Sequence, residues 1–399
     1  MTKPLFVFGV ARAGTNLIAG MLNAHPNVEL ALDPLLPFFK ALRTALLIAS
    51  GDRNLQAKFP SEAPFQDGYY DSQGYRLLDL VLTGRLDVPM GDENETLSAA
   101  IADRAALEAP EFARRLRDVN GQTFTDVLDQ VFDRVSSARL SNVVWRGVKE
   151  VWTTEFIPLL ARAYPEARFI IVRRDPRGIV ASLLALAKKN PSQAAHTISY
   201  MRHWRKEGAV GAALMNDKFL DGRVMMLSYE TVASDPEQGV KSLCAFLDLD
   251  LDRAMLYPIQ GTGGAGDGNS SFGKIVGVSN ISVERWRNVL SAAMIQTIEF
   301  FCGADMRLEG YALVGSLPTL LNEAITEIVR DADLSPGAWR SDFGTMEANL
   351  AHEEARWRLL SGAPEALRDA DEIRRHFLFE SYFYRLRAAV FPNPQPAIS

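Results

Sequence analysis

The chain has 399 residues, of which 47% are hydrophobic and 23% are charged, as is typical of a globular protein with one large or two modest domains. The formal net charge of −6 at pH 7 gives no reason to expect a nucleic acid or an anionic membrane surface as partner. Because two cysteines are too few for a disulfide framework, and because no leader or membrane-spanning run is present, we predict a soluble, cytoplasmic protein.

A glycine loop follows the first apolar segment. Residues 4–8 are predicted to form a buried strand, Gly9-Val-Ala-Arg-Ala-Gly-Thr15 a tight loop, and the residues from Thr15 a helix. Backbone N–H groups of such a loop bind phosphate, assisted by the helix dipole. The spacing is that of the nucleotide P-loop, but no lysine follows the second glycine, and the cation is Arg12 inside the loop. This pattern disfavours an ATP or GTP hydrolase. It favours a loop that binds a phosphosulfate, which has no γ-phosphate and no Mg²⁺ ion to be held.

The next segments first extend and then interrupt this pattern. A short strand is predicted over 28–32, followed by an insertion over 35–140 with few strand signals. Helices are predicted in the insertion over 35–50, 97–117 and 123–140, around an irregular, Pro/Gly/Asp-rich part over 51–74. We expect the insertion to overhang the loop and to help form an acceptor pocket.

Alternation of strands and helices returns after residue 140. Strands are predicted over 143–148, 168–173 and 224–228, and helices over 154–163, 176–189, 192–216 and 236–247. This order predicts an α/β fold with a mainly parallel sheet flanked by helices, in which ligands bind at the carboxyl ends of the strands. A glycine- and serine-rich loop over 261–277 follows, and then helices over 282–302 (ended by Gly303), 317–331, 346–361 and 364–390.

A second basic motif ends the strand over 168–173. Arg174 and Ser182 flank the turn into the next helix, which Pro176 can start. The two side chains can bind a second phosphate, one by its charge and the other by its hydroxyl. The alternative is a helix-cap network with Arg177 exposed.

With both motifs in this order, the chain resembles the sulfotransferases that use 3′-phosphoadenosine 5′-phosphosulfate (PAPS), most closely the protein-tyrosine sulfotransferase branch. The resemblance covers about residues 3–305 and implies a P-loop-like fold. It also implies in-line transfer of a sulfuryl group to the hydroxyl of an acceptor. In that family the loop binds the 5′-phosphosulfate. An Arg and a Ser, spaced as Arg174 and Ser182 are here, bind the 3′-phosphate. The implied contacts are Arg12, Ala13, Gly14, Thr15 and Asn16, and then Arg174 and Ser182.

The resemblance also implies catalytic residues. The segment "LNAHPNVELALDP" follows the helix, His-Pro and acid pattern of the tyrosine branch, and its catalytic Glu falls on Asp33. Asp33 would then take the acceptor proton, whereas the alternative is a cap of the helix that begins near Pro34. Lys149 takes the place of a lysine that, with Arg12, stabilises the leaving group. The alternative for Lys149 is a surface residue paired with Glu150.

Three further residues are predicted to contact PAPS. Ser271 and Arg285 are fourteen residues apart, as are a Ser and a Lys that contact the cofactor in the tyrosine branch. Tyr229, in "LSYETVASDPE", matches a family Tyr-Glu pair and lies either near the adenine or in the core. Trp286, in "VERWRNVLS", is predicted to pack rather than to stack on a base. His25 is predicted to have a structural role.

The predicted organisation is a sulfotransferase domain over 1–305, which includes the helical insertion 35–140, and a helical C-terminal extension over 306–399. The extension packs on the domain, forms a homodimer contact or closes the acceptor pocket. No metal is predicted, because no His/Cys ligand cluster is present. The predicted partner is a small-molecule or peptide hydroxyl acceptor, with no nucleic acid and no membrane. Two alternatives remain: a P-loop phosphotransferase, which would need a Walker lysine and Mg²⁺ ligands, and a non-catalytic nucleotide-binding module.

Overall fold

The computed structural model describes residues 2–63, 65, 69–90, 94–108, 110–135, 142–189, 197–258, 277–317, 345–362 and 369–391. The chain divides into two compact units. The first unit comprises Met1–Pro64, Leu77–Arg174 and Leu214–Asn280. The second comprises Phe65–Arg76, Asp175–Ala213 and Ile281–Ser399. The boundaries at 305 and 306 that the sequence suggests stay a prediction.

The first unit is built on a five-stranded sheet with the strand order β2-β3-β1-β4-β5, in which all neighbouring strands are parallel. The strands are β1 (Lys3–Gly9), β2 (Val28–Leu32), β3 (Trp145–Val151), β4 (Arg168–Arg173) and β5 (Val224–Ser228). The predicted α/β class with a mainly parallel sheet is therefore confirmed. The strand predicted over 143–148 begins two residues later and extends to Val151.

Nearly continuous apolar runs explain why these segments form the interior of a parallel sheet. Strands covered on both faces need no polar alternation, and most residues of β1 and β4 are buried. Phe6 of β1 stacks on Phe169 of β4 with ring centroids 5.4 Å apart. Its other neighbours include Phe8 in the same strand, at 5.9 Å. These rings form part of the core beside the central strand.

Helices connect and flank the strands. In chain order, they are α1 (Thr15–Asn23), α2 (Leu36–Ser50), α3 (Arg53–Lys58), α4 (Gly74–Thr83), α5 (Asn94–Glu108), α6 (Pro110–Leu116), α7 (Phe124–Arg134), α8 (Ile157–Ala163), α9 (Pro176–Lys189), α10 (Thr197–Met215), α11 (Tyr229–Ser234), α12 (Pro236–Leu247), α13 (Trp286–Val289), α14 (Ala292–Leu308), α15 (Met346–Ser361), α16 (Ala370–Phe377) and α17 (Glu380–Val390). Short 3₁₀ turns occur at Thr154–Phe156, Lys218–Leu220, Arg253–Leu256 and Asn280–Ser282. Among the described residues, no helix is both long enough and apolar enough to cross a bilayer.

The insertion is helical, but its helices differ from the predicted ones. The single helix predicted over 97–117 is two helices, and the second, α6, begins at Pro110. A proline at the first helical position explains the break, because proline lacks the N–H that an uninterrupted helix needs. The predicted irregular part contains α3, which Asp52 caps by accepting hydrogen bonds from two main-chain N–H groups. The helix predicted over 123–140 ends at Arg134, and residues 136–141 lie outside the described residues.

The helix predicted over 282–302 is wrong at two points in the second unit. It is divided into α13 and α14, because the Ser291 side chain accepts a hydrogen bond from Met294 N and starts a new helix there. Gly303 does not end α14, which continues to Leu308. A Cβ at Gly303 would lie 2.6 Å from Leu317 Cδ2, so this glycine permits close packing. The helix predicted over 364–390 is likewise divided, into α16 and α17.

The C-terminal helices pack on α14 within the second unit. Trp357 Nε1 donates a hydrogen bond of 3.1 Å to the carbonyl of Phe300. The buried carboxylate of Asp305 accepts one from Tyr382 and forms an ion pair with Arg356. The described part of the C-terminal region is therefore part of a packed core. The predicted helix over 317–331 lies almost entirely outside the described residues.

Candidate functional site

The glycine loop links β1 to α1 in a left-handed turn. Arg12 has φ 73° and Gly14 has φ 94°, both in the left-handed region. The helix begins at Thr15, and Gly14 is its N-cap. Glycine has no side chain to accept hydrogen bonds from the first N–H groups of α1, and these groups carry the positive end of the helix dipole. Such a helix N-terminus suits an anion. Of the other predicted contacts, Ala13 is buried and Asn16 is half-buried.

Arg174 and Tyr229 support this loop. Arg174, one residue beyond the end of β4, donates a hydrogen bond of 2.9 Å from Nη1 to the carbonyl of Arg12. Its guanidinium lies 4.4 Å from the centroid of the Tyr229 ring. The same ring lies so close to Gly14 that a Cβ there would be 3.0 Å from Tyr229 Cε2. Loop, arginine and tyrosine thus form one contact group at the carboxyl ends of β1, β4 and β5.

Asp33 and Lys149 form a buried ion pair on the neighbouring strands. Asp33 directly follows β2, and Lys149 of β3 is level with Leu32 of β2 and with Val7 of β1. Lys149 Nζ pairs with Asp33 Oδ2, and the main-chain N of Asp33 donates to the carbonyl of Lys149 at 2.7 Å. Only 1% of Lys149 and 6% of Asp33 is exposed. The pairing of a surface Lys149 with Glu150 is therefore wrong, because consecutive residues of a strand face opposite sides.

One oxygen of the Asp33 carboxylate is left over. Oδ1 is buried, and no residue that the structure describes forms a hydrogen bond with it. Asp33 is also not the cap of α2, since the N-cap is Leu35 and no side chain of the cap accepts a hydrogen bond. A buried oxygen without a partner is costly, so its presence points to a group that binds there.

Sequence reasoning missed two residues around Asp33. Glu150 is completely buried, and its Oε1 accepts a hydrogen bond from Leu35 N. Burial and the nearby Asp33 carboxylate raise the pKa of Glu150 well above its usual range. Arg104 of α5 donates a hydrogen bond of 3.2 Å from Nε to the carbonyl of Asp33. Two adjacent charged residues, Lys149 and Glu150, at the end of a mostly buried strand were the available signal for Glu150, whereas Arg104 gave none.

The remaining predicted residues do not lie in the described part of the first unit. Ser182 is buried in α9, and Arg285 immediately precedes α13, both in the second unit. Ser271 lies outside the described residues. Arg177 is not exposed: it forms ion pairs with Asp175 and Glu299 in the second unit.

Two aromatic side chains have the predicted structural roles. Trp286 is buried and packs against the Arg177 guanidinium, which lies 4.0 Å from its ring centroid. His25 contacts the carbonyl of Asp250 through Nε2 at 3.0 Å and accepts a hydrogen bond from Asn27 N through Nδ1. Both hydrogen bonds hold the turn before β2. Neither residue therefore needs a catalytic explanation.

The geometry combines two features at one edge of the sheet. Parallel strands end together, so the loop after β1 and the ion pair beside β2 and β3 share the carboxyl edge of the first unit. The loop offers main-chain N–H groups and the charge of Arg12, and Arg174 adds a second cation. The ion pair adds an ammonium group and a carboxylate oxygen, Asp33 Oδ1, that has no hydrogen-bond partner among the described residues. This set can bind a phosphate and take a proton beside it.

Comparisons with known proteins show which family this chain resembles. A family model described as "Sulfotransferase family" matches residues 4–253. A "Putative protein-tyrosine sulfotransferase" of Caenorhabditis briggsae is 25% identical over 195 residues, which are 46% of this chain and 65% of the relative. Mouse carbohydrate sulfotransferase 3 is 28% identical over 203 residues, 47% of this chain and 43% of the relative. The matches thus span between 43% and 65% of the length of these relatives. The sulfotransferase domain of the Synechococcus PCC 7002 olefin synthase has a TM-score of 0.42 at 18% identity, covering 73% of this chain and 90% of that domain.

Proposed function

Because this chain belongs to the sulfotransferase family, we propose that it transfers a sulfuryl group from PAPS to a hydroxyl of an acceptor by in-line displacement. The observation that carries the proposal is the buried Asp33–Lys149 pair at the same sheet edge as the glycine loop. A phosphate loop alone fits many nucleotide enzymes. A carboxylate and an ammonium group beside it fit the attack of a hydroxyl on an anionic group.

The residues of the first unit fit the donor PAPS. The uncapped first N–H groups of α1, from Gly14 onwards, would bind its 5′-phosphosulfate together with the Arg12 guanidinium. Arg174 would add charge for a second phosphate, as the sequence motif predicts. When bound, PAPS supplies the sulfuryl group and a phosphate that leaves with the electrons of the broken S–O bond. Contacts by Ser182, Ser271, Arg285 and the Tyr229 ring stay predictions from the sequence.

The chain's own groups then account for the proton and the charge. Lys149 holds Asp33 through Oδ2, so Oδ1 is the oxygen that takes the proton of the acceptor hydroxyl. The proton is taken as the hydroxyl oxygen of the acceptor bonds to sulfur. Transfer by a positioned base contributes about 10²- to 10⁴-fold in rate. The Lys149 ammonium is almost completely buried and therefore little screened by water. It stabilises negative charge on the leaving phosphate by on the order of 3 kcal/mol.

The acceptor is proposed only as an alcohol or phenol, on a small molecule or a peptide. We propose that α5 borders it, because Arg104 of that helix contacts the main chain of Asp33. A cytoplasmic location and a homodimer remain proposals from the sequence. Neither a Mg²⁺-dependent phosphotransferase nor a binding module gains support from a feature of the site.

The test is transfer of labelled sulfate from PAPS to a panel of hydroxyl acceptors by the wild type and Asp33→Asn. We expect Asp33→Asn to lower kcat by at least about 10²-fold, because the amide cannot take the proton. The affinity for 3′-phosphoadenosine 5′-phosphate (PAP) should not change. Asp87→Asn is the matched control, since Asp87 pairs only with Arg85 at the surface in the described structure. Full turnover by Asp33→Asn, or a wild type that binds PAP and sulfates nothing, would contradict the proposal.

A further inference from the structure

The turn that carries Asp33 has a conformation that needs support. Asp33 has φ 51°, in the left-handed region that residues with a side chain adopt uncommonly. Its N–H group bonds to the carbonyl of Lys149 in β3. Two more hydrogen bonds to this turn come from residues far away in sequence. One is made to the carbonyl of Asp33, and the other to the N–H of Leu35.

Glu150 supplies the contact at Leu35. Leu35 is the N-cap of α2, and its own side chain cannot accept a hydrogen bond. Glu150, 115 residues away, accepts a hydrogen bond through Oε1 from the N–H of Leu35 itself, as the acidic residue of a capping box does for its N-cap. Because Glu150 follows Lys149 in β3, one strand holds Asp33 through Lys149 on one face and Leu35 through Glu150 on the other.

Arg104 supplies the contact at the Asp33 carbonyl. It lies in α5, within the insertion, and reaches Asp33 O through Nε at 3.2 Å. The hydrogen bond is charge-assisted and therefore about twice as strong as a neutral one. It joins a helix of the insertion to the residue that the proposed reaction uses as base.

We propose that Glu150 and Arg104 are positioning residues that hold the Asp33 turn, so that Oδ1 keeps one orientation beside the loop. The effect on turnover rests on the proposed function, whereas the effect on the turn itself does not. A rival role for Glu150 is that of the base. Burial and the Asp33 carboxylate raise the pKa of Glu150 well above its usual range, and glutamine has the same shape and an acceptor oxygen, so Glu150→Gln distinguishes the two roles.

Two pairs of variants separate these roles. Glu150→Gln keeps an oxygen that can accept from Leu35 N, and Glu150→Met removes it. Arg104→Lys keeps a cationic donor, and Arg104→Met removes it. Arg117→Met is the matched control, because Arg117 pairs with Asp103 at the surface. The readouts are hydrogen exchange at the amide of Leu35, kcat, KM for PAPS and Kd for PAP.

For Glu150→Met we expect hydrogen exchange at the Leu35 amide to rise at least about tenfold, because that amide loses its buried acceptor. In both methionine variants kcat should fall at least about tenfold, with KM for PAPS and Kd for PAP within about twofold of the wild type. The Gln and Lys variants should recover most of kcat and leave its pH profile unchanged.

Three results would overturn the inference. One is wild-type kcat and wild-type Leu35 exchange in Glu150→Met. The second is Glu150→Gln as inactive as Glu150→Met, which would make Glu150 an acid or base. The third is parallel loss of kcat and PAP affinity, which would mean general damage to the fold. If the wild type itself transfers no sulfate, the proposed function fails, and exchange at Leu35 still decides whether Glu150 holds the turn.

Discussion

Replacing Gly14 with alanine tests whether the glycine loop has the conformation described. Gly14 has φ 94°, which is strained for any residue with a side chain. The new Cβ would lie 3.0 Å from Tyr229 Cε2 and closer still to Cδ2, well inside the usual 3.5–4.0 Å between carbon atoms. The ring cannot move freely, because the Arg174 guanidinium lies 4.4 Å from its centroid.

Two terms add up in the expected cost. The left-handed backbone costs alanine about 1–2 kcal/mol, and displacing a packed side chain costs about 1–3 kcal/mol. We therefore expect Gly14→Ala to lower the free energy of unfolding by about 2–5 kcal/mol. The affinity for PAP should fall at least about tenfold, because the displaced ring and arginine support the loop that binds the phosphate.

The Tyr229→Ala variant separates the backbone cost of Gly14→Ala from its steric cost. In Tyr229→Ala the ring is absent, so Gly14→Ala should cost only the backbone term of about 1–2 kcal/mol. Urea unfolding of the four proteins gives the coupling, and calorimetric titration with PAP gives the affinities. Equal costs of Gly14→Ala with and without the ring would refute the contact, and unchanged PAP affinity would refute the role of the loop.

Three other changes test the rest of the structure. Lys149→Met should cost about 3–5 kcal/mol in urea unfolding, because the buried Asp33 carboxyl group loses its ion-pair partner, and adding Asp33→Asn should restore most of this loss. Burial and the Arg202 charge lower the pKa of His352 well below its usual range. As the pH falls below about 6.5, only the unfolded chain then binds a proton at His352. The free energy of unfolding should therefore drop by up to about 1.4 kcal/mol per pH unit. His352→Gln should lack this contribution to the pH dependence. Truncation after residue 310 removes the partners of buried Asp305, so we expect insoluble protein; a soluble fragment with a native circular dichroism spectrum would contradict this packing.

Much of the sheet could be predicted from local patterns. Apolar runs bounded by turns gave β2, β4 and β5 at their observed ends, because buried strands of a parallel sheet have a strong sequence signal. Helix ends were harder, since packing decided them. Gly303 has the residue type of a helix end, yet it lies inside α14 because Leu317 packs against it. The break before Pro110 could have been recognised from the proline itself.

The site was predictable in its residues but less so in its contacts. Family resemblance indicated Asp33 and Lys149, while their ion pair depends on a strand order that places β3 between β2 and β1. No local pattern encodes a contact across 116 residues. The same order places β3 inside the sheet and so explains why Glu150 is buried. The contact of Tyr229 with Gly14 likewise needed the position of β5 beside β4.

The most direct test of the central claim is calorimetric titration with PAP, beside AMP and ATP, without Mg²⁺, for the wild type and Arg174→Ala. We predict micromolar or tighter binding of PAP that depends on its 3′-phosphate. Arg174→Ala should weaken it more than about tenfold, because a charged phosphate contact is worth about 1.5–3 kcal/mol. Arg253→Ala is the control, since Arg253 is exposed and pairs with Glu237. No binding of PAP, or tighter binding of ATP than of PAP, would contradict the assignment of PAPS as donor.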